Sequence, residues 1–335
     1  MSLTRRQFAT ASAAALAAPF LIPAAASRNA AAQAPGPAIG EAARSFPRLH
    51  SILVQRGDEM VFAEALRGPG LDRTANIKSC SKSLVALLLG IAIDRGEVPG
   101  VDARLAEVAP RLVPDDAEAE VAQITLQDLV TMRAGLGATS GREYGAWVNS
   151  RDWVSYALRR PVVGEPGGRM IYSTGSSHVL GAALAVAAGE SLLDQARNRL
   201  GDPLGIEIPA WTRDPQGYYM GGNQMALTPR AMLRVAMLMR DGGMFDGRQV
   251  VSRAWVDASA EPRTRSPWSG LGYGYGWFVS DSGYLIARGY GGQVIAAHRA
   301  RNLAVAITSD PAQPARSQGY FGDLMAFLDG PILEA

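Results

Sequence analysis

The chain has 335 residues, 47% of them hydrophobic, with 33 basic and 31 acidic side chains and a formal charge of +2. That length allows a large core in one or two domains, and so even a balance of charge gives no electrostatic case for nucleic acid or an anionic membrane. The single cysteine, Cys80, excludes an intramolecular disulfide and a cysteine-built metal cluster, and three scattered histidines, His50, His178 and His298, offer no ligand spacing and little support for a Ser-His-Asp triad.

Thr4-Arg5-Arg6-Gln7-Phe8 precedes an Ala-rich apolar run that reaches Ile22. Paired arginines before a mild apolar stretch read as a twin-arginine export signal over 1–26, cleaved at Ala24-Ala25-Ala26 or, less favourably, at Ala32-Gln33-Ala34; a structureless Ala-rich tail is the other reading. Without Arg5 and Arg6 the formal charge falls to zero. The expected location is the periplasm or beyond, with no stable membrane insertion after cleavage, because no later stretch reaches the ~18 apolar residues a span needs. Residues 27–44, rich in Ala, Pro and Gly, are predicted as a flexible lead-in.

Two β-prone runs, 51–55 and 60–65, flank Arg56-Gly57-Asp58-Glu59 and predict an antiparallel hairpin. Asn76-Ile77-Lys78-Ser79-Cys80-Ser81-Lys82-Ser83 follows, then a run from Leu84 to Ile93 that is apolar on every side and predicts a buried helix ended by Gly96. Residues 106–224 alternate helical patterns with Pro and Gly breaks and predict a mostly helical domain inserted into a sheet domain made of 45–105 and 225–335. Within it, Thr125 and Asp128 form a capping box, 152–159 is helical, and a helix follows Gly175 through Val186. Thr228-Pro229 opens another helix, closed by Asp241-Gly242-Gly243. Strands are predicted at 273–279, 284–288, 293–298 and 303–308, as an antiparallel meander, and a last helix at 320–328. The fold class is therefore α/β of the α+β kind, an antiparallel sheet flanked by helices.

Lys78 and Lys82 are the only lysines, and the other 31 basic residues are arginines. Arginine keeps its proton at working pH, whereas a desolvated lysine can lose it and act as a base. Ser79 stands three residues before Lys82, so on a helix the hydroxyl and the amine share a face. A buried, neutral Lys82 could take the proton of Ser79 and make it a nucleophile; a helix cap followed by a solvated lysine is the bland alternative. Lys78 reads as a solvated charge, Cys80 as a small core-facing residue, and Ser81 and Ser83 as packing or capping residues.

A nucleophilic serine also needs a proton route and donors for the oxyanion. Tyr172, between Gly167-Gly168 and a helix, is the candidate for the first, its pKa lowered by a nearby ammonium; a buried aromatic with one satisfied hydroxyl is the alternative. The backbone N–H of Ser79 is one oxyanion donor. The glycine-rich segment Arg288-Gly289-Tyr290-Gly291-Gly292-Gln293 can bring a second close to a substrate, or be an ordinary hairpin turn.

Ser79-Cys80-Ser81-Lys82, Tyr172-Ser173-Thr174 and Ala287-Arg288-Gly289 together resemble, in order and spacing, the Ser-x-x-Lys, Tyr-x-Asn and Lys-Thr-Gly or His-x-Gly motifs of the penicillin-recognising, β-lactamase-related serine hydrolases. The resemblance covers about 45–330, with further support from Ile124 to Leu129, Ser140-Gly141, Gly221-Gly222 and Gly272 to Trp277. It implies a β-lactamase/transpeptidase-like fold and an acyl-enzyme on Ser79, with Lys82 and Tyr172 moving its proton. The N–H groups of Ser79 and Tyr290 would hold the oxyanion, and Thr174, Gly289 and Gly291 would line the substrate. It implies no metal or organic cofactor and a small ester or amide as the partner. Two departures stand out. Ala287 replaces the lysine that holds a lactam carboxylate, the direction of the neighbouring Arg288 being left open by the motif, and Thr174 replaces the asparagine. Both point to the carboxylesterase and 6-aminohexanoate-oligomer hydrolase branch ahead of β-lactamase or D-alanyl peptidase activity. A non-catalytic ligand-binding module of the same fold is the reading from another class.

Overall fold

In the computed structural model, which describes residues 35–334, the expected hairpin forms as β1 (Leu49–Arg56) and β2 (Glu59–Ala65), turned at Gly57 with φ +55°. The export signal expected at 1–26 and both cleavage positions lie outside the described residues. The other strands of the main sheet are β3 (Thr264–Arg265), β4 (Gly272–Tyr273), β5 (Phe278–Val279), β6 (Leu285–Gly289), β7 (Gln293–His298) and β8 (Leu303–Ser309). They form one eight-stranded antiparallel sheet in the order β2-β1-β8-β7-β6-β5-β4-β3, so β8 closes against β1 and the early and late parts of the chain complete each other.

Side chains alternate across this sheet, as a period of two requires. Leu53, Ala287, Ile295 and Ala306 face one core; Ile52, Val54, Ile286, Val294 and Ile307 face the other. The first face is covered by α2 (Ser81–Asp94) and α6 (Pro229–Arg240), the second by α1 (Pro35–Arg44) and α7 (Tyr320–Phe327). Between α2 and α6 run the helices α3 (Leu126–Val130), α4 (Trp153–Leu158) and α5 (Thr174–Ala188). The core under α2 continues into them through Leu129, Leu180 and Leu184, so sheet and helical region share one apolar interior.

The local signals read from sequence account for the helix ends. Thr125 Oγ1 accepts from the Asp128 N–H at 3.1 Å while an Asp128 carboxylate oxygen accepts from the Thr125 N–H at 2.9 Å. Thr228 caps α6 with Pro229 at its first position, and Gly96 follows α2 at φ +72°. No single helix among the described residues is long and apolar enough to cross a membrane.

Two expectations need correction. Residues 35–44 are a helix and not a flexible lead-in: Ile39 and Ala43, at i and i+4, are fully buried against the second face of the sheet, and the Phe46 ring packs 5.1 Å from Phe327. Apolar burial outweighs the cost of the two glycines in this helix. The stretch 273–279 is not one strand. It folds back on itself between β4 and β5, with Gly276 at φ +75° and its carbonyl accepting the Ser83 hydroxyl at 2.6 Å.

Gly90 of α2 lies under the Trp255 ring, where an added Cβ would overlap ring atoms. Alanine would favour the helix by about 1 kcal/mol, but overpacking costs typically 1–3 kcal/mol or more. Gly90→Ala is therefore expected to lower stability by roughly 1–2 kcal/mol net in urea unfolding. A gain in stability would show that α2 and the Trp255 ring do not pack this closely.

Candidate active site

Ser79 sits in a single 3-10 turn, Lys78–Cys80, that leads into α2, not in the first α-helical turn as expected. Lys78 enters it at φ +53°, its N–H held by Asn76 Oδ1 at 2.9 Å, which anchors a left-handed residue that would otherwise be disfavoured. The turn is tied to the segment after the helical region: Ala75–Asn76 pairs with Ala226–Leu227, and the Ile77 N–H donates to Met225 O at 2.9 Å. Ser81 braces it, donating to Lys78 O at 2.6 Å, as a capping residue would. Cys80 is fully buried, and burial pushes its thiol up, out of nucleophilic reach.

Lys82, one turn on, is 3% exposed. Its Nζ lies 3.1 Å from Ser79 Oγ, 3.2 Å from Thr174 Oγ1 and 2.6 Å from Gly222 O. All three partners are neutral oxygens. Burial therefore dominates, only partly opposed by the neighbouring Cys80, and pulls the amine from the ordinary lysine value of 10.5 down to about 7. The Gly222 carbonyl is fixed from behind. The Gly221 N–H donates to His178 Nδ1 at 3.4 Å, which leaves the proton on Nε2 to be donated to Asp214 Oδ2 at 2.9 Å. Gly221 itself packs too closely on the backbone of α5 to carry a side chain.

Tyr172 reaches the same point from the segment before α5. The Ile171 N–H donates to Met132 O at 2.8 Å, and Ser173 and Gly175 are stitched to Thr139. The Tyr172 ring lies 5.1 Å from Lys82 Nζ. It lines the cleft and is half-buried, and desolvation pushes the phenol up to about 12; the Ser79 hydroxyl and the Arg288 guanidinium offset only part of that. The lowered pKa expected from sequence is thus reversed, since desolvation outweighs the neighbouring cation. At neutral pH this phenol is a proton donor.

Gly289 closes the site from β6. A Cβ there would strike Ile77 O, so only glycine lets the strand end press against the Ser79 turn. Tyr290 follows, 51% exposed at the rim. A cleft of about 740 Å³ opens over Ser79 and Tyr172, lined by Trp268, Phe278, Arg288, Gly289, Tyr290 and 315–319.

Two substrate-lining expectations are corrected. Thr174 is 4% exposed and serves Lys82, outside the cleft lining. Gly291 is also absent from that lining; at φ +86° it is packed against Asp310 and Pro311. Ala287 is buried in the sheet core, but Arg288 on the opposite face does turn into the cleft, stacked 3.5 Å over Phe321 and donating to Ser317 Oγ at 2.9 Å. Burial lowers its guanidinium to about 10, partly opposed by Tyr172. Sequence reasoning missed Gly222 and Ser140 as partners of the amine and of Thr174. Gly221-Gly222 is a visible signal, but a carbonyl is not.

A family model described as Beta-lactamase matches residues 48–326. A 6-aminohexanoate-dimer hydrolase from Paenarthrobacter ureafaciens is 26% identical over 222 residues, covering 62% of this chain and 56% of that relative, so the match spans little more than half its length. Among solved structures, a Bacillus anthracis protein provisionally described as a 6-aminohexanoate-dimer hydrolase superposes with TM-score 0.74 at 15% identity, over 88% of this chain and 80% of the other. EstCE1, described as a hydrolase with promiscuous acyltransferase activity, gives TM-score 0.73 at 17% identity, over 89% and 99%. At these identities the structural matches speak for the fold.

The amine makes a prediction about stability. Its pKa is lower folded than unfolded, so between about 7 and 10.5 the unfolded chain binds more protons and stability rises with pH; below about 7 the full penalty of the buried charge applies. Lys82→Met should therefore raise the melting temperature most at pH 6, with the advantage shrinking toward pH 10. An advantage independent of pH would mean that the amine is not desolvated.

Proposed function

The chain belongs to the β-lactamase family, and from that premise we propose that it is a serine hydrolase that cleaves an ester, or more slowly a short amide, through an acyl-enzyme on Ser79. The reading rests above all on one observation: an amine with a pKa of about 7 lies 3.1 Å from the Ser79 hydroxyl. Near neutral pH such an amine is partly unprotonated and basic enough to receive the proton, the match that general-base catalysis favours.

Ser79 Oγ attacks the carbonyl carbon as its proton passes to Lys82. The N–H groups of Ser79 and Tyr290 hold the oxyanion. Tyr172, protonated at neutral pH, gives its proton to the leaving alcohol or amine as that bond breaks, and the Lys82 ammonium restores it. Water then attacks the acyl-enzyme, losing its proton to the site, and Ser79 regains its own. Gly289 contributes by letting β6 bring Tyr290 to the Ser79 turn. An export signal at 1–26 would set this chemistry in the periplasm or outside the cell.

A second reading, β-lactam turnover, gains from one feature. Arg288 lies in the cleft and could meet an anionic group that Ala287 cannot. It ranks below ester cleavage because the site has no asparagine beside Lys82. A non-catalytic module would not need a depressed amine next to an accessible hydroxyl.

Ser79→Ala is expected to abolish hydrolysis of a chromogenic short-chain ester and labelling by a fluorophosphonate probe, and Lys82→Arg to do nearly the same. Tyr172→Phe should lower kcat by roughly 10²- to 10⁴-fold. The rate of the wild type should rise with pH through about 7 as Lys82 loses its proton. Ester hydrolysis by Ser79→Ala at the wild-type rate would remove Ser79 from the chemistry, and preferential turnover of a chromogenic β-lactam would reverse the ranking.

A further inference from the structure

We propose that Ser140 is a positioning residue that sets the direction of the hydrogen bonds around Lys82, so that the amine lone pair, and not an N–H, faces Ser79. The inference rests on the function proposed above. It comes from a short hydroxyl chain: Lys82 Nζ to Thr174 Oγ1 at 3.2 Å, and Thr174 Oγ1 to Ser140 Oγ at 3.0 Å, with the Thr174 N–H also donating to Ser140 Oγ at 2.9 Å.

A hydroxyl has a single hydrogen, so Thr174 can donate to Lys82 or to Ser140 but not to both. When Lys82 is an ammonium, its three hydrogens face Gly222 O, Ser79 Oγ and Thr174 Oγ1. Thr174 must then accept from the amine, and its own hydrogen goes to Ser140. Ser140 accepts twice, from the hydroxyl and from the N–H of the same residue, and its hydrogen is left for water, which its partial exposure provides.

Loss of one proton leaves the amine with two hydrogens and a lone pair. Gly222 O can only accept, so it takes one hydrogen. Thr174, still turned toward Ser140, takes the other. The lone pair remains for the Ser79 O–H, which is the arrangement proton transfer requires. The reverse direction, with Ser140 donating to Thr174 and Thr174 donating to the lone pair, would leave an N–H aimed at Ser79 and the base blocked. Ser140 as acceptor is the arrangement that both charge states of Lys82 share, so the network need not reorganise during proton transfer. The pair Thr174 and Ser140 thereby does with two hydroxyls what one side-chain carbonyl oxygen could do alone.

A double-mutant cycle tests this, read as ester hydrolysis by wild type, Ser140→Ala, Thr174→Val and the double variant, with melting temperatures measured alongside. Ser140→Ala should lower kcat roughly tenfold with KM nearly unchanged, and Ser140→Thr, which keeps the acceptor, should restore most of it. In the Thr174→Val background the same Ser140→Ala change should alter kcat by less than about twofold, because Ser140 acts only through the Thr174 hydroxyl. Any loss of stability from the unpaired residue-174 N–H should appear equally in both backgrounds and separates folding from catalysis. An equal loss of kcat in both backgrounds, or none in the wild type, overturns the role of Ser140 while leaving Ser79 and Lys82 in place. Full activity of Ser79→Ala would instead overturn the parent function and this inference with it.

Discussion

Lys82 carries its amine into the interior among three neutral oxygens, Ser79 Oγ, Thr174 Oγ1 and Gly222 O, with no carboxylate among the described residues to pair it. Taking a charge out of water without a partner costs several kcal/mol, and a lysine so placed lowers that cost by giving up its proton. Much of the surrounding architecture follows from holding the amine there. α2 is buried on nearly all sides, so its first turns cannot swing Lys82 to solvent. α5 begins at Thr174 directly under the amine, and His178 on the same helix meets the Gly221 N–H beside the carbonyl that takes one of its hydrogens. Gly289 brings β6 against the turn that presents Ser79.

This arrangement divides labour between two groups whose pKa values burial moves in opposite directions. Desolvation disfavours charge, so it lowers the amine to about 7 and raises the phenol of Tyr172 to about 12. The amine becomes a base at neutral pH and the phenol remains an acid. In the proposed mechanism one environment thus serves both roles, and no histidine is needed beside Ser79. His178 is spent on structure: edge-on to both Trp147 and Trp153, it joins Asp214 to Gly221.

Much of this was legible in the sequence because it depends on local pattern. A lysine retained three residues after a serine, in a chain otherwise written with arginine, marked the amine that lies buried beside Ser79. The unbroken apolar run behind it marked its burial, and Thr125 with Asp128, Thr228-Pro229 and Gly96 marked helix ends. What stayed hidden depends on contacts distant in sequence. The Gly222 carbonyl and the Ser140 hydroxyl reach Lys82 and Thr174 from segments 140 and 34 residues away. Composition alone made 27–44 a loose tail, because the apolar residues of 35–44 find their partners on the sheet and in the C-terminal segment, distant in sequence. The direction of the Tyr172 shift was misjudged because a nearby cation is visible in a motif and desolvation is not. Likewise the motif left the direction of Arg288 open, and strand alternation turns it into the cleft.

The state of the amine is open to direct observation, because the chain contains only two lysines, Lys78 and Lys82. In protein labelled with ¹³C at lysine Cε, the signal missing from the Lys82→Met variant can be followed with pH. A midpoint near 7 is the result this account predicts; a midpoint at the ordinary lysine value of 10.5 would contradict it, since the amine would then be charged whenever the protein works.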